Sequence, residues 1–457
     1  MADTTEQSVI FNDLFDKPAL IRFDQPQMSV DGGALLLKSC DEHLGLTQRL
    51  AACIRDDRRA GKVTHTLTDL IRQRVFGLAC GYEDCNDAGR LGDDPVHKLL
   101  LDRDPVHGES LASQPTLSRF ENAVGPKDLM RMGNALAEAV IERHRRRLKG
   151  RVKRIAIELD PTDDPTHGAQ QLTFFNGHYD SWCYLPVAGF IRFDDEPDQF
   201  LVAWLLRPGN SGARVGAIGL LRRMVARLRD AFPKAKLLVR LDGGFAAPDM
   251  FDFLEDEHLE YVVAMAENSV LRGHAEPLME PMRALTGVTS RTEHAYGECR
   301  YRAGTWSCTR RVVIKAEVVR LGNREPRDNA RFVVTNLPGA PRNIYEKVYC
   351  QRGQIENRLK ELHNGLAIDR TSCTKFLANQ FRGLLTAAAY VLFQELRLRS
   401  RRTSCKNAQV DTLRIRLIKM ACRVERSVRR IVFHLPADAV WRSDWMRVAL
   451  SLGAAPS

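Results

Sequence analysis

The sequence predicts an α/β protein: a mixed sheet with flanking helices, a helical N-terminal region and a β-rich insertion. Three observations carry this. Helical periodicity dominates from Gly32 to about residue 148. From Arg154 apolar alternation takes over, in the element order β-β-β-α-β-α-β. Residues from about 270 to 335 then turn Thr-, Arg- and Val-rich in alternation, as in TWSCTRRVVIKAEVVRL, before a last set of helices.

The chain has 457 residues, 44% of them hydrophobic, which excludes a disordered protein and suffices for a sizeable core. Its 68 Lys+Arg against 57 Asp+Glu give a formal charge of +11, and the summed field favours a polyanionic partner. Eleven cysteines without a C-x-x-C pair fit neither a zinc ribbon nor a disulfide scaffold. The N-terminus, MADTTEQSVIFNDLFDKPALIRF, lacks the basic flank and apolar core of a secretory signal. The most apolar later stretch, 384–393, is far shorter than the ~20 residues of a membrane span. A reduced, cytoplasmic, soluble protein with no membrane partner is therefore expected.

Leu129, Met132, Leu136 and Val140 recur at helical steps, on a helix expected to start near Pro126-Lys127-Asp128. It runs into RHRRRLKGRVKR, residues 143–154, where eight of twelve positions are Lys or Arg, among them Arg145, Arg146 and Arg147. The run suits either a solvated helix end and linker or a phosphate-facing patch. Ile155, Ile157 and Leu159 then alternate into Asp160, and strands are expected at 183–191 and 200–206. After Pro208-Gly209-Asn210 a helix carries Val215, Ile218, Leu221, Val225 and Leu228. Strand 237–241 ends in Asp242-Gly243-Gly244, and a further helix leads to strand 261–265. The order matches a ribonuclease-H-like sheet. Arg331 to Leu337 closes the insertion, and a long helix after Pro341 carries YEKVYCQRGQIENRLKELHNGL, backed by an apolar helix from about 375 to 398. Between Arg397 and Arg430 stand twelve Lys/Arg and two acids, with Leu413, Leu417, Met420 and Val424 at helical steps. The predicted divisions are 1–150 (mainly helical), 151–270 (first part of the sheet domain), 271–337 (β-rich insertion), 338–400 (completion of the sheet domain) and 401–457 (basic helical tail).

Three acids stand where the backbone exposes them: Asp160 and Asp242 at strand ends, Glu356 on the later helix. Two divalent cations ~3.5–4 Å apart need such hard oxygen ligands to hold an attacking and a leaving oxygen in line at phosphorus. Taken singly, Asp160 before Pro161 and Asp242 before Gly243 are also ordinary turn chemistry. Asp163, Asp164 and Asp180 compete, and Asp163 and Asp164 rank below Asp160 because they lie beyond the strand end. On an ideal helix Tyr349, Arg352, Glu356, Lys360 and His363 fall within about 80° of arc. Such a stripe suits one acid holding metal while its neighbours grip phosphates.

These residues resemble the bacterial insertion-sequence transposases with a DDE catalytic domain, in the branch called transposase DDE domain group one. The similarity rests on LDPTDDPTHG around Asp160, NGHYDSWCYLPV, VRLDGGFA around Asp242, RFVVTNL, and Y-x-x-R-x-x-x-E from Tyr349 to Glu356; GYEDCNDAGRLGDDP and SQPTLSRFEN also match. It implies a ribonuclease-H-like core with Asp160, Asp242 and Glu356 as metal ligands for two Mg2+ ions, Mn2+ being able to substitute. It implies double-stranded DNA as partner, both element terminal inverted repeats and target, with a homodimer on paired ends in the bacterial nucleoid. Related transposases place a lysine seven residues after the glutamate; here that residue is His363, with Lys360 able to supply the charge. Some flip a terminal base onto an aromatic of the insertion, for which Trp306 is the candidate. The expected function is cut-and-paste transposition, with end reading expected in 66–90 or 114–119. The alternatives are a decayed end-binding protein and a nuclease that cleaves without joining.

Overall fold

The computed structural model describes residues 8–322 and 324–456. The N-terminal region is helical, with α1 (Leu35–Leu44), α2 (Leu46–Ala52), α3 (Leu67–Ala79) and α4 (Pro126–Leu148). In α4, Pro126 occupies the first helical position and the Asp128 carboxylate accepts the Gly125 N–H at 3.2 Å. Its stripe of Leu129, Met132, Leu136 and Val140 is buried, and left-handed Lys149 ends it.

The central sheet contains β1 (Arg154–Pro161), β2 (Val187–Phe193), β3 (Phe200–Leu205), β4 (Lys236–Leu241), β5 (Glu260–Met265), β6 (Glu293–Tyr301), β7 (Arg310–Val319) and β8 (Arg331–Thr335). They lie in the order β6-β7-β8-β5-β4-β1-β2-β3. β1, β4 and β5 run parallel, and the other neighbouring pairs are antiparallel. Crossover helices α5 (Ala217–Ala231) and α6 (Pro248–Asp256) lead into β4 and β5. Layers on both faces explain why β1 and β4 are near-continuous apolar runs. Predicted strand 183–191 is divided at Leu185-Pro186: Ser181–Tyr184 joins a small three-stranded sheet, while β2 pairs with β1. Proline lacks the N–H that a central ladder needs.

Ser269–Thr289, expected to begin the β-rich insertion, is a helix, α7, capped by Asn268, whose side chain accepts the Leu271 N–H at 3.0 Å. Leu271, Ala275 and Met279 recur every four residues and are buried, and α7 packs on β6 and β7. β6, β7 and β8 extend the central sheet outward from β5.

The helix expected after Pro341 is not uniform. A short turn, Pro341–Asn343, passes into a π-helix, Ile344–Tyr349, then a 3₁₀ turn, Cys350–Gly353, and only then into α8 (Gln354–Leu366). The helix behind it, α9 (Phe376–Arg399), is buried almost throughout, against β3, α3 and α4.

The basic C-terminal segment is not a helical tail. Its first helical stretch stops at Ile418, Cys422–Arg426 and Ile431–His434 form strands, the first pairing with Met28–Ser29, and a helix resumes only at Arg442–Ser451. Leu413 and Leu417 thus lie on a helix and Val424 on a strand. Contact with the N-terminal region decides this: Gly33 sits so close to the Leu417 carbonyl that a side chain there has no room. All eleven cysteines are unpaired. Among the described residues no helix is long and apolar enough to cross a membrane.

Candidate functional site

The register between β1 and β4 sets the site. Arg240 stands opposite Glu158, so Asp242 and Asp160, each two residues further on, extend the same face beyond that rung. The lower rung neutralises itself, because buried Arg240 donates to buried Glu158. The upper rung consists of two acids. Asp160 lies inside β1, whereas Asp242 follows β4 and accepts the Gly244 N–H at 2.9 Å, capping the turn Gly243–Phe245.

Like charges side by side need a cation, and Arg352 supplies it. Its Nη2 donates to Asp160 Oδ1 at 2.6 Å and to Asp242 Oδ2 at 3.3 Å. Asp160 is only 7% exposed. Burial raises its pKa; Arg352 opposes this, while Asp242, Glu356 and Glu158 add to it, so the carboxyl is pushed up to about 7.

Arg352 belongs to the 3₁₀ turn that follows the π-helix, a combination frequent at functional sites. The lower rung braces that segment. Arg240 Nη1 donates to the Val348 carbonyl at 3.1 Å and to Gln351 Oε1 at 3.0 Å, and Arg192 also donates to Gln351. Tyr349 is half-buried with its ring 5.5 Å from that of Tyr345. Glu356, in the first turn of α8, is exposed and has no hydrogen bond or ion pair among the described residues. Its charge acts on Asp160, but the three acids are not at mutual coordination distance. Among the described residues, the one group of three or more His, Cys, Asp or Glu ligand atoms within 4.8 Å of one another is Asp31, Cys80 and His97.

That group is closed by protein donors. His97 Nε2 lies 2.9 Å from Asp31 Oδ2, and Lys419 Nζ lies 2.8 Å from Asp31 Oδ1. Burial raises the Asp31 pKa, but His97 and Lys419 outweigh it and hold the carboxyl below its ordinary value. Burial drives the Cys80 thiol well above its own, with Asp31 adding to the effect, which keeps the sulfur protonated and a poor metal ligand. Lys419 comes from the C-terminal segment, so the cluster ties that segment to the N-terminal helices.

The other expected residues divide. Lys360 is exposed and without a carboxylate partner among the described residues. His363 is held between Thr162, 3.1 Å from Nε2, and Asp369, 3.2 Å from Nδ1, so it braces the chain beyond β1. Trp306 is 5% exposed, packed against Phe251, Tyr301 and Arg310. It belongs to the core, which corrects its expected place as a landing site for a base. Arg145 and Arg146 are exposed, whereas Arg147 is bound to Glu196 at 2.8 and 2.7 Å. Asp164 is fully buried, accepts the Thr371 hydroxyl at 2.9 Å and is pushed up to about 8 by burial. α3, in the segment expected to read DNA ends, is largely buried, its Arg74 paired with Glu121.

Aromatic residues beside the acids escaped the sequence reading. The excursion between β1 and β2 exposes Phe175 at 52% and Trp182 at 58%, and its Tyr179 feels the charges of Asp160 and Asp242. The signal is present in FFNGHYDSW, which sets Phe174, Phe175, Tyr179 and Trp182 among polar residues.

A mixed sheet presenting paired acids at the ends of neighbouring parallel strands, in a basic chain, defines an α/β protein equipped for chemistry on a polyanion. The family model Transposase DDE domain group 1 matches residues 11–456, and the chain belongs to that family. The family is one of transposases, polynucleotidyl transferases that in general use divalent metals and act on DNA. No curated protein matches the chain.

Proposed function

We propose that the protein is a cut-and-paste transposase that binds the terminal inverted repeats of its element and cleaves and joins DNA strands at Asp160, Asp242 and Glu356. The observation that carries this is the shared guanidinium: two acids on adjacent parallel strand ends hold one cation between them, with Glu356 close enough to act on Asp160. The strand order β3-β2-β1-β4-β5, with β1, β4 and β5 parallel, supports a ribonuclease-H-like core.

The residues fit divalent cations. Carboxylate oxygens are the hard donors that Mg2+ takes, and a positive group already rests on two of them. Two Mg2+ ions, or Mn2+ in their place, supply activation of the attacking oxygen and stabilisation of the leaving oxygen. Asp160, on a strand, gives a rigid anchor; Asp242, at the head of a turn, gives an adjustable one; Glu356 completes the set from α8. Tyr349, Arg352 and Lys360 face the phosphates that flank the reacting one, and exposed Arg145 and Arg146 add phosphate affinity that sets no sequence. Water is the first nucleophile, and the freed 3′-hydroxyl is the second. A homodimer pairs the two ends, in the nucleoid of a bacterial cytoplasm.

Purified protein incubated with labelled element ends and Mg2+ tests this reading. Cleaved and joined products are expected, and Asp242→Ala abolishes both while end binding persists. Binding without cleavage points to a decayed protein, cleavage without joining to a nuclease, and cutting by Asp242→Ala overturns the site.

A further inference from the structure

Arg352 holds its two acids less completely than Arg143 and Arg147 hold theirs. Arg143 clasps Glu395 as a fork, with Nε and Nη2 each at 2.9 Å, and Arg147 sets both terminal nitrogens on Glu196. Arg352 reaches Asp160 and Asp242 through the single atom Nη2, at 2.6 and 3.3 Å, and its Nε is buried without a hydrogen-bond partner. The side chain is 12% exposed. An incompletely paired buried guanidinium is costly to keep and correspondingly easy to move.

Its backbone is irregular. Ile344–Tyr349 is wound wider than an α-helix and Cys350–Gly353 tighter, so Arg352, inside the tighter turn, stands on a segment that departs from α-helical pitch in both directions, the kind of stretch that marks a hinge. Arg240, gripping Val348 and Gln351, holds that segment to the sheet.

We propose that Arg352 is an internal counter-ion that couples metal binding to DNA binding. Without DNA, its guanidinium neutralises Asp160 and Asp242 and competes with divalent cations for their oxygens. When a DNA phosphate lies beside the site, Arg352 transfers to it and leaves both carboxylates to the cations. The two ligands then bind cooperatively, because each removes a cost that the other meets alone. This inference rests on the proposed role of the carboxylates as metal ligands, and it adds a reason for metal to load on the DNA complex.

Calorimetric titration of the full chain with Mn2+, with and without a mixed-sequence DNA duplex, tests the coupling. The unaltered protein is expected to bind Mn2+ at least about tenfold more tightly with the duplex than without it. Arg352→Gln is expected to bind Mn2+ alone about tenfold more tightly than the unaltered protein, and to gain little from DNA. Circular dichroism checks its folding; if it fails to fold, Arg352→Lys carries the same prediction at smaller size, since a compact ammonium spans the two carboxylates poorly. If the substitution leaves Mn2+ affinity unchanged or weaker while Asp242→Asn removes binding, the counter-ion role is overturned and the metal site stands. If Mn2+ binding survives Asp242→Asn, the ions lie elsewhere and both readings fall.

Discussion

Glu158 faces Arg240 across β1 and β4, and Asp160 and Asp242 lie two residues further along the same two chain segments as an upper rung, Asp242 just past the end of β4, yet the two pairs are built for opposite ends. The lower rung joins opposite charges in the dry interior, where Gln199 donates to Glu158 and Gln351 accepts from Arg240. The upper rung sets like charges at the edge of the sheet and borrows its cation from an irregular helical segment. A closed pair resists exchange. An acid pair relying on a movable cation is prepared for it. The Asp31–Cys80–His97 cluster belongs with the lower rung: its atoms are nearer to metal-coordination spacing than those of the upper rung, but His97 and Lys419 hold the Asp31 carboxylate. Proximity of ligand-type atoms is therefore a weaker guide to function than whether their charge is balanced by something that can leave.

The largest test of this contrast strikes the upper rung. Asp242→Asn is expected to lower strand cleavage at least ~10³-fold, about 4 kcal/mol in the barrier, with the melting temperature unchanged or raised because a like-charge contact is removed. A cleavage assay run beside a thermal melt reads both; a strongly destabilised variant would give the upper rung a structural role.

Arg240→Met gives the opposite pattern. Leaving Glu158 buried and unpaired is expected to cost about 3–5 kcal/mol in urea denaturation, and adding Glu158→Leu is expected to recover most of it. Failure of the double substitution to recover stability would mean that the pair acts through its grip on Val348 and Gln351.

Asp164, four residues beyond Asp160, is an acid without an ion-pair partner among the described residues, with burial outweighing the charge of Arg382. Its pKa is raised to about 8 in the fold against ~3.9 in an unfolded chain, so the folded state holds a proton that the unfolded state releases. That contribution is complete below about pH 4 and is lost as pH rises towards 8. Asp164→Asn is expected to exceed the unaltered protein in stability by about 2–4 kcal/mol at pH 8 and to match it near pH 4, read by urea melts across that range.

The smallest effect separates a forked ion pair, Arg147 on Glu196, from the more exposed cations of the same helix end, Arg145 and Arg146, the latter only 3.9 Å from Glu142. Arg145→Ala and Arg146→Ala are each expected to reduce the slope of log affinity against log salt by roughly 0.9, whereas Arg147→Ala, already bound to Glu196, leaves it unchanged. Equal slopes for all three would remove the basic run from the DNA-facing surface.

Asp160 and Asp242 were legible because an apolar strand that stops at Asp-Pro or Asp-Gly-Gly announces both its direction and its end. The stripe from Tyr349 to His363 was legible in composition but not in geometry, since ideal helical spacing takes no account of a π-turn followed by a 3₁₀ turn. Arg352 was expected to face phosphate, and nothing local signalled that it reaches two strands of the sheet. Trp306 offered no local sign of burial, because Phe251, which packs against it, comes from a distant part of the chain. Val424 kept helical spacing in sequence but became a strand residue where Met28–Ser29 provided an edge.

By itself the sequence determined the periodic elements, the apolar strands that must be buried on both faces, the positive charge and the family signature, all of which depend on residues near one another along the chain. The tertiary structure alone decided which acids share a cation, which arginines are already paired and how β6, β7 and β8 join the sheet. Those outcomes depend on register and on burial by remote segments, and the energy of a charge is set by what surrounds it in space.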